Sequence, residues 1–287
     1  MLKLQTPVET GPLPLRISFS DKIVLLGSCF SATTGERLAA LGFDALTNPF
    51  GQLYNPVSIA NAVTRLSSCI PFGEDDCAEL GAGAGLVCSF SHHTSFARKT
   101  AGEFLENANA SFSEASAFWK EANKVVITLG TAWCFKRLET GETVANCLKR
   151  PAAEFERYRL DPATAESVLD RIVERNPDKE FFLAVSPIRH LADGPQGNSV
   201  SKATLVLAAD GLCRRHPDRV CYFPSYEILL DELRDYRFYA EDLVHPSSQA
   251  ASYIADRFID AVVPEEEKIR LADARKTALR AAHRDLR

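Results

Sequence analysis

Short apolar runs alternate along this chain with longer stretches whose apolar residues recur at helical spacing. The apolar runs predict five strands, at residues 23–26, 43–47, 125–129, 181–185 and 220–223. The longer stretches predict helices at residues 33–41, 56–66, 114–121, 163–175, 202–215, 226–233 and 248–262. This alternation is typical of a parallel sheet covered by helices. Five such strands with right-handed crossovers predict a three-layer α/β/α, flavodoxin-like domain.

Two segments interrupt the alternation. Residues 70–102 are rich in Gly, Ser, Cys and His, and residues 135–158 contain the turn sequence Glu139-Thr140-Gly141-Glu142. Both are predicted to be polar insertions beside the sheet. Residues 264–287 alternate acidic and basic side chains, which predicts a charged helix or a frayed tail. The chain is therefore divided into one domain over residues 1–263 and a C-terminal tail.

Composition narrows the class of protein. The 287 residues are 46% hydrophobic and 25% charged, as in ordinary globular domains. A net charge of -5 without a basic stripe argues against a nucleic-acid partner. The first residues lack the pattern of a secretory signal, and no apolar run approaches the roughly 20 residues that span a bilayer. We expect a cytoplasmic protein with no membrane partner, and the sequence leaves its oligomeric state open.

Eight cysteines are scattered along the chain without a Cys-x-x-Cys pair. Several of them, such as Cys88, Cys134, Cys213 and Cys221, lie inside apolar runs, where a reduced thiol behaves as a small hydrophobic group. A chain of this length does not need disulfides to fold, so we expect the thiols to be reduced.

Candidate chemistry lies at both ends of the chain. The first strand stops at Gly27-Ser28, and Asp242 precedes His245 by three residues in a loop bounded by Pro246. Ligands of open parallel sheets collect at the carboxyl ends of the strands, where Ser28 is predicted to lie. A serine hydroxyl needs a histidine to accept its proton and a carboxylate to orient that histidine. The pattern predicts a nucleophile, a base and an orienting acid.

Each of these segments also has a plainer interpretation. Ser28 can simply cap the helix that follows it, and Asp242 with His245 can form an ion pair that staples a loop. Cys29 is an alternative nucleophile, because a helix amino terminus and an imidazolium lower the pKa of a thiol. Adjacent residues leaving a strand point in opposite directions, so only one of Ser28 and Cys29 can face His245.

Residues 27–31, Gly-Ser-Cys-Phe-Ser, resemble the signature of the GSCFA family, a branch of the SGNH or GDSL-like hydrolases. Other segments resemble family blocks in the same order: Asn48-Pro49-Phe50-Gly51, Tyr54-Asn55-Pro56, His92-His93-Thr94-Ser95-Phe96, Leu129-Gly130-Thr131-Ala132-Trp133, Ser186-Pro187-Ile188-Arg189-His190, Tyr222-Phe223-Pro224-Ser225-Tyr226-Glu227 and Phe238-Tyr239-Ala240-Glu241-Asp242-Leu243-Val244-His245-Pro246. The resemblance extends to about residue 262 and implies an SGNH hydrolase-like fold.

The resemblance implies a triad of Ser28, His245 and Asp242. It favours Ser28 over Cys29 as the nucleophile, and Cys29 is then expected to pack underneath the turn. It also implies an oxyanion hole formed by the Ser28 backbone N–H, a glycine after the second strand and an asparagine after the third. Gly51 matches the glycine.

Ala132 stands where many relatives carry that asparagine. Another group is then expected to supply the donor, and Thr131 beside it is a further substrate-binding candidate. The candidates for the missing donor are Asn48, Asn55, Arg189, His92 and His93.

Two histidine-containing segments remain. His92 and His93 could bind substrate hydroxyls, donate to an oxyanion or ligate a metal. A metal site needs three or four suitable ligands, and no second cluster of matching spacing is visible, so no metal or other cofactor is expected. Arg189 and His190 follow the fourth strand and should overlook the same crevice. Arginine there suits a substrate carboxylate or phosphate, and a structural pair with Asp193 is the alternative.

The sequence predicts a serine esterase that acts on small or carbohydrate O-acyl esters, chiefly O-acetyl esters, and the substrate class rests on the resemblance alone. An O-acyltransferase could use the same triad. A carbohydrate-binding or other ligand-binding protein that has lost its chemistry is the third alternative, and Ala132 supports it.

Overall fold

A computed structural model describes residues 6–81 and 83–285 of the chain. The strands are β1 (Lys22–Gly27), β2 (Asp44–Thr47), β3 (Ala78–Glu79), β4 (Val87–Cys88), β5 (Lys124–Leu129), β6 (Trp133–Arg137), β7 (Thr143–Val144), β8 (Phe155–Arg159), β9 (Glu180–Val185) and β10 (Val220–Phe223). The helices are α1 (Cys29–Ala40), α2 (Pro56–Ser68), α3 (Ala101–Glu121), α4 (Pro162–Arg175), α5 (Gly194–Arg215), α6 (Ser225–Glu227), α7 (Ser248–Val262) and α8 (Lys268–Asp285).

The central sheet has five parallel strands in the order β10-β9-β5-β1-β2. Each of its strands lies at a predicted apolar run. Both faces of the sheet are buried, because Val24 and Leu26 of β1 join one core cluster while Ile23 and Leu25 join another. Burial on both faces explains why these strands are continuous apolar runs rather than alternating ones. The predicted α/β class and the five-stranded parallel sheet are confirmed.

Helices cover the two faces of the sheet. The apolar sides of α2, α3, α4 and α5 contribute to the core on one face, and those of α1 and α7 contribute to the core on the other. The chain therefore forms three layers. α8 packs on the second core through the buried Leu271, with Ala274 and Ala278 partly buried against it. The charged C-terminal segment is thus helical over its described part.

Three predicted helices begin later than the observed ones. α1 begins at Cys29 because Ser28 caps it, and α3 begins at Ala101 because Thr100 caps it and Glu103 completes a capping box. α5 begins at Gly194, although its first two turns hold residues of low helix propensity. Tertiary contacts stabilise that start, since Asn198 accepts a hydrogen bond from the His190 backbone N–H at 2.9 Å. The predicted helix at 226–233 is the short α6 followed by a π-helix, Ile228–Leu233.

The two interrupting segments form small antiparallel sheets, β3-β4 and β7-β6-β8. The predicted turn at residues 139–142 joins β6 to β7, and the Arg137 N–H donates to the Glu142 carbonyl at 2.8 Å. The insertions contact each other, since the Gly81 N–H donates to the Leu148 carbonyl at 2.9 Å. Their apolar residues join the core on the α2–α5 face.

All eight cysteines are free in the structure. Among the described residues, no helix has the length and apolar content needed to cross a membrane.

Candidate active site

A turn after β1 brings the predicted nucleophile to the carboxyl edge of the sheet. Gly27 has φ +139°, and a Cβ atom there would lie 2.2 Å from the Thr128 carbonyl oxygen, so only glycine fits. The Ser28 N–H donates to that same oxygen at 3.2 Å. β1 and β5 therefore stay in close contact up to the residue where the chain turns into α1.

The Ser28 side chain points into the protein. It is 0% exposed, and its hydroxyl donates to Ser186 Oγ at 2.8 Å. Ser28 Oγ also accepts from the Phe30 N–H at 3.3 Å, so the capping role is confirmed. Within residues 6–81 and 83–285, no hydrogen bond joins Ser28 to His245. Nucleophilic attack by Ser28 stays a prediction, and it requires Oγ to leave Ser186.

Cys29 differs from the expectation that it packs underneath the turn. It is the first residue of α1 and is partly exposed, whereas Ser28 is fully buried. Burial raises the pKa of the Cys29 thiol, and the backbone N–H groups of Phe30 and of Cys29 itself oppose that rise. Ser28 is therefore the buried residue of the two and Cys29 the more exposed one, the reverse of the expectation, because capping of α1 holds the Ser28 side chain inward.

Asp242 and His245 form a hydrogen-bonded pair. The His245 Nδ1 lies 2.6 Å from Asp242 Oδ2, while Oδ1 accepts the backbone N–H groups of Val244 and His245, each at 2.9 Å. The His245 N–H, the Val244 N–H and the imidazole together lower the pKa of Asp242 to about 2. An ionised carboxylate only accepts hydrogen bonds, so Nδ1 carries a proton and the Nε2 of a neutral ring is free to take another. This arrangement is that of a general base with its orienting acid.

Arg189 holds the loop that carries this pair. Its backbone N–H donates to the Val244 carbonyl at 3.0 Å, and its Nη1 donates to the Leu243 carbonyl at 3.1 Å. Its guanidinium lies 5.3 Å from the ring centroid of Tyr239. Asp193, the alternative partner, binds Arg157 instead, at 2.5 and 2.8 Å. Arg189 therefore positions the loop from the end of β9.

A buried lysine joins the ends of two central strands. Lys202 of α5 is 1% exposed, and its Nζ donates to the carbonyls of Gly130 at 2.7 Å and Ser186 at 2.9 Å. Burial lowers the pKa of this ammonium to about 7. Gly130 follows β5 and Ser186 follows β9, so the lysine fixes the spacing of these two neighbouring strands at the carboxyl edge of the sheet.

His190 lies beside Lys202 with its ring 6.4 Å from that of Tyr54. Burial is the main cause that lowers the pKa of His190 to about 4, and the ammonium of Lys202 contributes in the same direction. The ring is therefore neutral near pH 7. Its Nε2 is buried and has no hydrogen-bond partner in the described part of the chain.

The backbone donors predicted for the oxyanion hole are already engaged. The Ser28 N–H binds the sheet, as described above, and the Gly51 N–H donates to the Asn48 carbonyl at 2.7 Å. Asn48, like His190, keeps a buried side-chain nitrogen, its Nδ2, without a hydrogen-bond partner among the described residues. Its Oδ1 accepts the Gly27 N–H at 2.9 Å. The Asn48 side chain is thus bound to the turn through its oxygen, while its amide nitrogen stays available as a donor.

Other candidates have structural partners. Asn55 Oδ1 caps α2 by accepting the Ser58 N–H at 2.9 Å. Thr131 Oγ1 lies 3.1 Å from Ser201 Oγ, which also accepts the Ala132 N–H at 2.8 Å. Ser201 Oγ therefore already accepts the backbone N–H of Ala132, the residue at the position of the missing asparagine.

The two adjacent histidines follow the Phe50-Gly51 segment: the His93 N–H donates to the Phe50 carbonyl at 2.9 Å, and a Cβ atom on Gly51 would lie 2.3 Å from His93 Cβ. His92 is 1% exposed among the rings of Phe50, Phe72, Phe96 and Phe104, and Ser89 Oγ lies 2.7 Å from its Nδ1. Burial lowers the pKa of His92 to about 4. His93 accepts the Ser95 N–H at 3.2 Å and caps a short turn. The His92 ring belongs to the aromatic core, which does not favour a role in binding substrate or an oxyanion, and that role stays a prediction.

One group of side chains could offer ligands to a metal. Asp170, Glu174 and His216 place their ligand atoms within 4.8 Å of one another. The Arg215 guanidinium lies 2.7 Å from Asp170. A fixed positive charge on a ligand carboxylate opposes a second cation there, so this group is an ion-pair cluster on α4 and the end of α5.

The family model described as the GSCFA family matches residues 22–258. The chain belongs to the GSCFA family. No curated protein matches it.

This GSCFA chain also shows distant similarity to solved structures. A candidate acylhydrolase from Bacteroides fragilis is 11% identical, with a TM-score of 0.44 over 87% of this chain and 90% of the other. An acetyl xylan esterase from Butyrivibrio proteoclasticus is 12% identical, with a TM-score of 0.40 over 85% and 64%. A carbohydrate esterase family 2 enzyme from Corynascus thermopiles is 14% identical, with a TM-score of 0.42 over 89% and 68%.

Sequence reasoning missed two residues of the GSCFA chain that organise the crevice. Ser186 follows β9 as Ser28 follows β1, and this parallel placement of two serines was a usable signal. Lys202 lies among the apolar residues of α5, where a lysine is unusual unless its ammonium has buried partners. The partners themselves are distant in sequence and could not be predicted.

Proposed function

We propose that this GSCFA protein hydrolyses small or carbohydrate O-acyl esters by acyl transfer to a nucleophile on the turn after β1. The pair of Asp242 and His245 is the observation that carries this proposal. Both side chains are 48% exposed, so a substrate can reach the imidazole directly. The loop that holds them is bound to the end of β9, at the edge of the sheet where β1 also ends.

The proposed reaction uses the imidazole twice. His245 Nε2 takes the proton of the nucleophile as this attacks the acyl carbon, and returns it to the departing alcohol. Water then attacks the acyl-enzyme, again losing its proton to His245. Asp242 keeps Nδ1 protonated and stabilises the imidazolium throughout. The sequence predicts Ser28 as the nucleophile, and Asn48 Nδ2 is the proposed donor to the oxyanion.

The substrate class rests on the family resemblance and on the polarity of the crevice rim. Tyr54 lies near His190 and Tyr239 near Arg189, both are partly exposed, and each provides an aromatic face and a hydroxyl. Such side chains suit a sugar or another small polar alcohol better than an acyl chain. An O-acetyl ester is accordingly the proposed substrate.

Hydrolysis of p-nitrophenyl acetate tests this function. Replacing His245 by Gln should lower kcat/KM by about 10² to 10⁴-fold, because a general base contributes that much. His216→Gln is the matched control, since His216 also lies 2.6 Å from an aspartate oxygen but belongs to the α4–α5 cluster. It should leave the rate unchanged. Absence of turnover by the native protein, or equal losses in both variants, would contradict the proposal.

The same assay with an added alcohol distinguishes hydrolysis from acyl transfer. We expect acetate to be the main product even in the presence of the alcohol, because the half-exposed imidazole is open to water. An acetylated alcohol formed in preference to acetate would instead identify an acyltransferase.

A further inference from the structure

Ser28 and Cys29, adjacent residues of the turn after β1, differ in exposure and in hydrogen bonding. Ser28 Oγ is fully buried, donates its proton to Ser186 Oγ and accepts the Phe30 N–H. Attack by Ser28 would have to break these interactions and move the oxygen out of the protein interior. Cys29, one residue later, is partly exposed in the present arrangement.

The Cys29 thiol lies where β1 turns into α1, at the carboxyl edge of the sheet. Lys202 lowers the pKa of the Cys29 thiol and Asp242 raises it, after the larger effect of burial, so the sulfur lies within electrostatic range of both groups. The thiol in turn raises the pKa of Tyr54 after burial does. Charged or polar groups from α5, from the Asp242–His245 loop and from Tyr54 just before α2 thus act electrostatically on the same thiol.

The backbone supports the same assignment. The Ser28 N–H is used by the sheet, since it donates to the Thr128 carbonyl. Cys29 is the first residue of α1, so its N–H has no acceptor within the helix and lies at the positive end of the helix dipole. An oxyanion formed by attack from Cys29 would lie beside this helix-terminal N–H.

Lys202 adds a buried amine to this site, and with a pKa of about 7 a substantial part of it is protonated near pH 7. It is 1% exposed, and in the described part of the chain its partners are two carbonyl oxygens and no carboxylate. A cation without a counter-charge stabilises negative charge that develops on a neighbouring sulfur.

We infer that Cys29 Sγ, and not Ser28 Oγ, is the atom that receives the acyl group in this chain. This inference rests on the proposed function. His245 Nε2 takes the thiol proton while the sulfur–carbon bond forms, and the alcohol leaves with that proton as the carbon–oxygen bond breaks. Water then adds to the thioester, His245 takes its proton and returns it to the sulfur, and the carboxylic acid departs. Ester and water become acid and alcohol, and the thiol is regenerated.

Peptide mapping of the acylated protein tests the inference directly. Native protein is mixed with p-nitrophenyl acetate, quenched in acid within the first turnovers and digested. We expect the acetyl group on the peptide at Cys29 and its removal by neutral hydroxylamine, which cleaves thioesters. An acetyl group on Ser28 would overturn the inference while leaving the proposed function intact.

Variants give an independent result. Cys29→Ala should lower kcat/KM by at least roughly 10³-fold, as expected for loss of a nucleophile, and Cys29→Ser should retain part of the activity. Ser28→Ala should lose much less activity than Cys29→Ala, since it removes a helix cap and not the proposed acyl acceptor. Cys147→Ala is the matched control for a partly exposed thiol elsewhere and should have no effect. Native turnover by Cys29→Ala would overturn the inference.

The two proposals fail in different ways. One equivalent of p-nitrophenol released without further turnover, with the acetyl group on Cys29, would support the inference and contradict ester hydrolysis as the function. No release of p-nitrophenol would overturn both.

Discussion

At the residue scale, burial decides the charge state of the histidines. His92 and His190 are both held neutral by desolvation, while the half-exposed His245 has a carboxylate partner. A single amino-acid type thus serves as a core residue, as a neutral member of the crevice and as the proposed base. Which role each plays follows from its surroundings and not from its immediate sequence neighbours.

The neutral core histidine predicts acid sensitivity of the fold. The pKa of His92 falls from 6.5 to about 4 on burial, so the unfolded chain binds more protons between these values. The stability contributed by this group is fully present above pH 6.5 and is lost as the pH falls through 4. We expect the free energy of unfolding to drop by about 2 to 3 kcal/mol from this residue.

Urea unfolding from pH 7 to pH 4.5 measures this effect, with His92→Phe as the comparison. The variant should show a shallower loss of stability across that range whatever its stability at pH 7. Parallel pH profiles for the two proteins would show that His92 is not responsible.

At the element scale, close packing at one glycine allows β1, β5 and α1 to meet. Gly27 has no room for a side chain, because the Thr128 carbonyl occupies the place of a Cβ atom. The strand pairing continues to this residue and the helix starts two residues later. The turn after β1 is therefore held by the sheet and is not a flexible loop.

Gly27→Ala should consequently destabilise the protein severely. The added methyl group collides with backbone that cannot move, and we expect a loss of more than about 3 kcal/mol. Gly42→Ala is the matched control, because Gly42 also has positive φ, +86°, but has open space around it. Its cost should be about 1 kcal/mol. Thermal or urea unfolding measures both, and equal losses would show that backbone strain alone explains them.

At the scale of the whole molecule, the proposed site is assembled from segments at both ends of the chain. The turn after β1 belongs to the sheet, whereas the Asp242–His245 loop is attached from outside through Arg189. Loss of that attachment should affect activity more than stability. Since Arg189 is partly exposed, few core contacts depend on it.

Arg189→Ala should therefore lower kcat/KM by roughly 10 to 100-fold while the urea midpoint hardly changes, because small displacements of a catalytic group are costly. Faster amide hydrogen exchange at the Val244 and His245 N–H groups should accompany the loss. Arg157→Ala is the control for removing an arginine that binds an aspartate nearby. Unchanged exchange in Arg189→Ala would refute the positioning role.

The sequence by itself determined the five parallel strands, the layered class and the family, because apolar runs record which segments are buried on both faces. It also placed Asp242 within reach of His245, since three residues in a turn bring the side chains together.

Only the tertiary structure decided what the distant residues do. Ser28 turns inward because Ser186, 158 residues away in sequence, accepts its hydroxyl proton. His92 lies in the core because four phenylalanine rings meet around it. Lys202 binds the ends of two strands through backbone carbonyls, which every residue has and which the sequence therefore does not reveal. Local periodicity reports burial, but the direction of a side chain depends on partners that only the completed fold brings together.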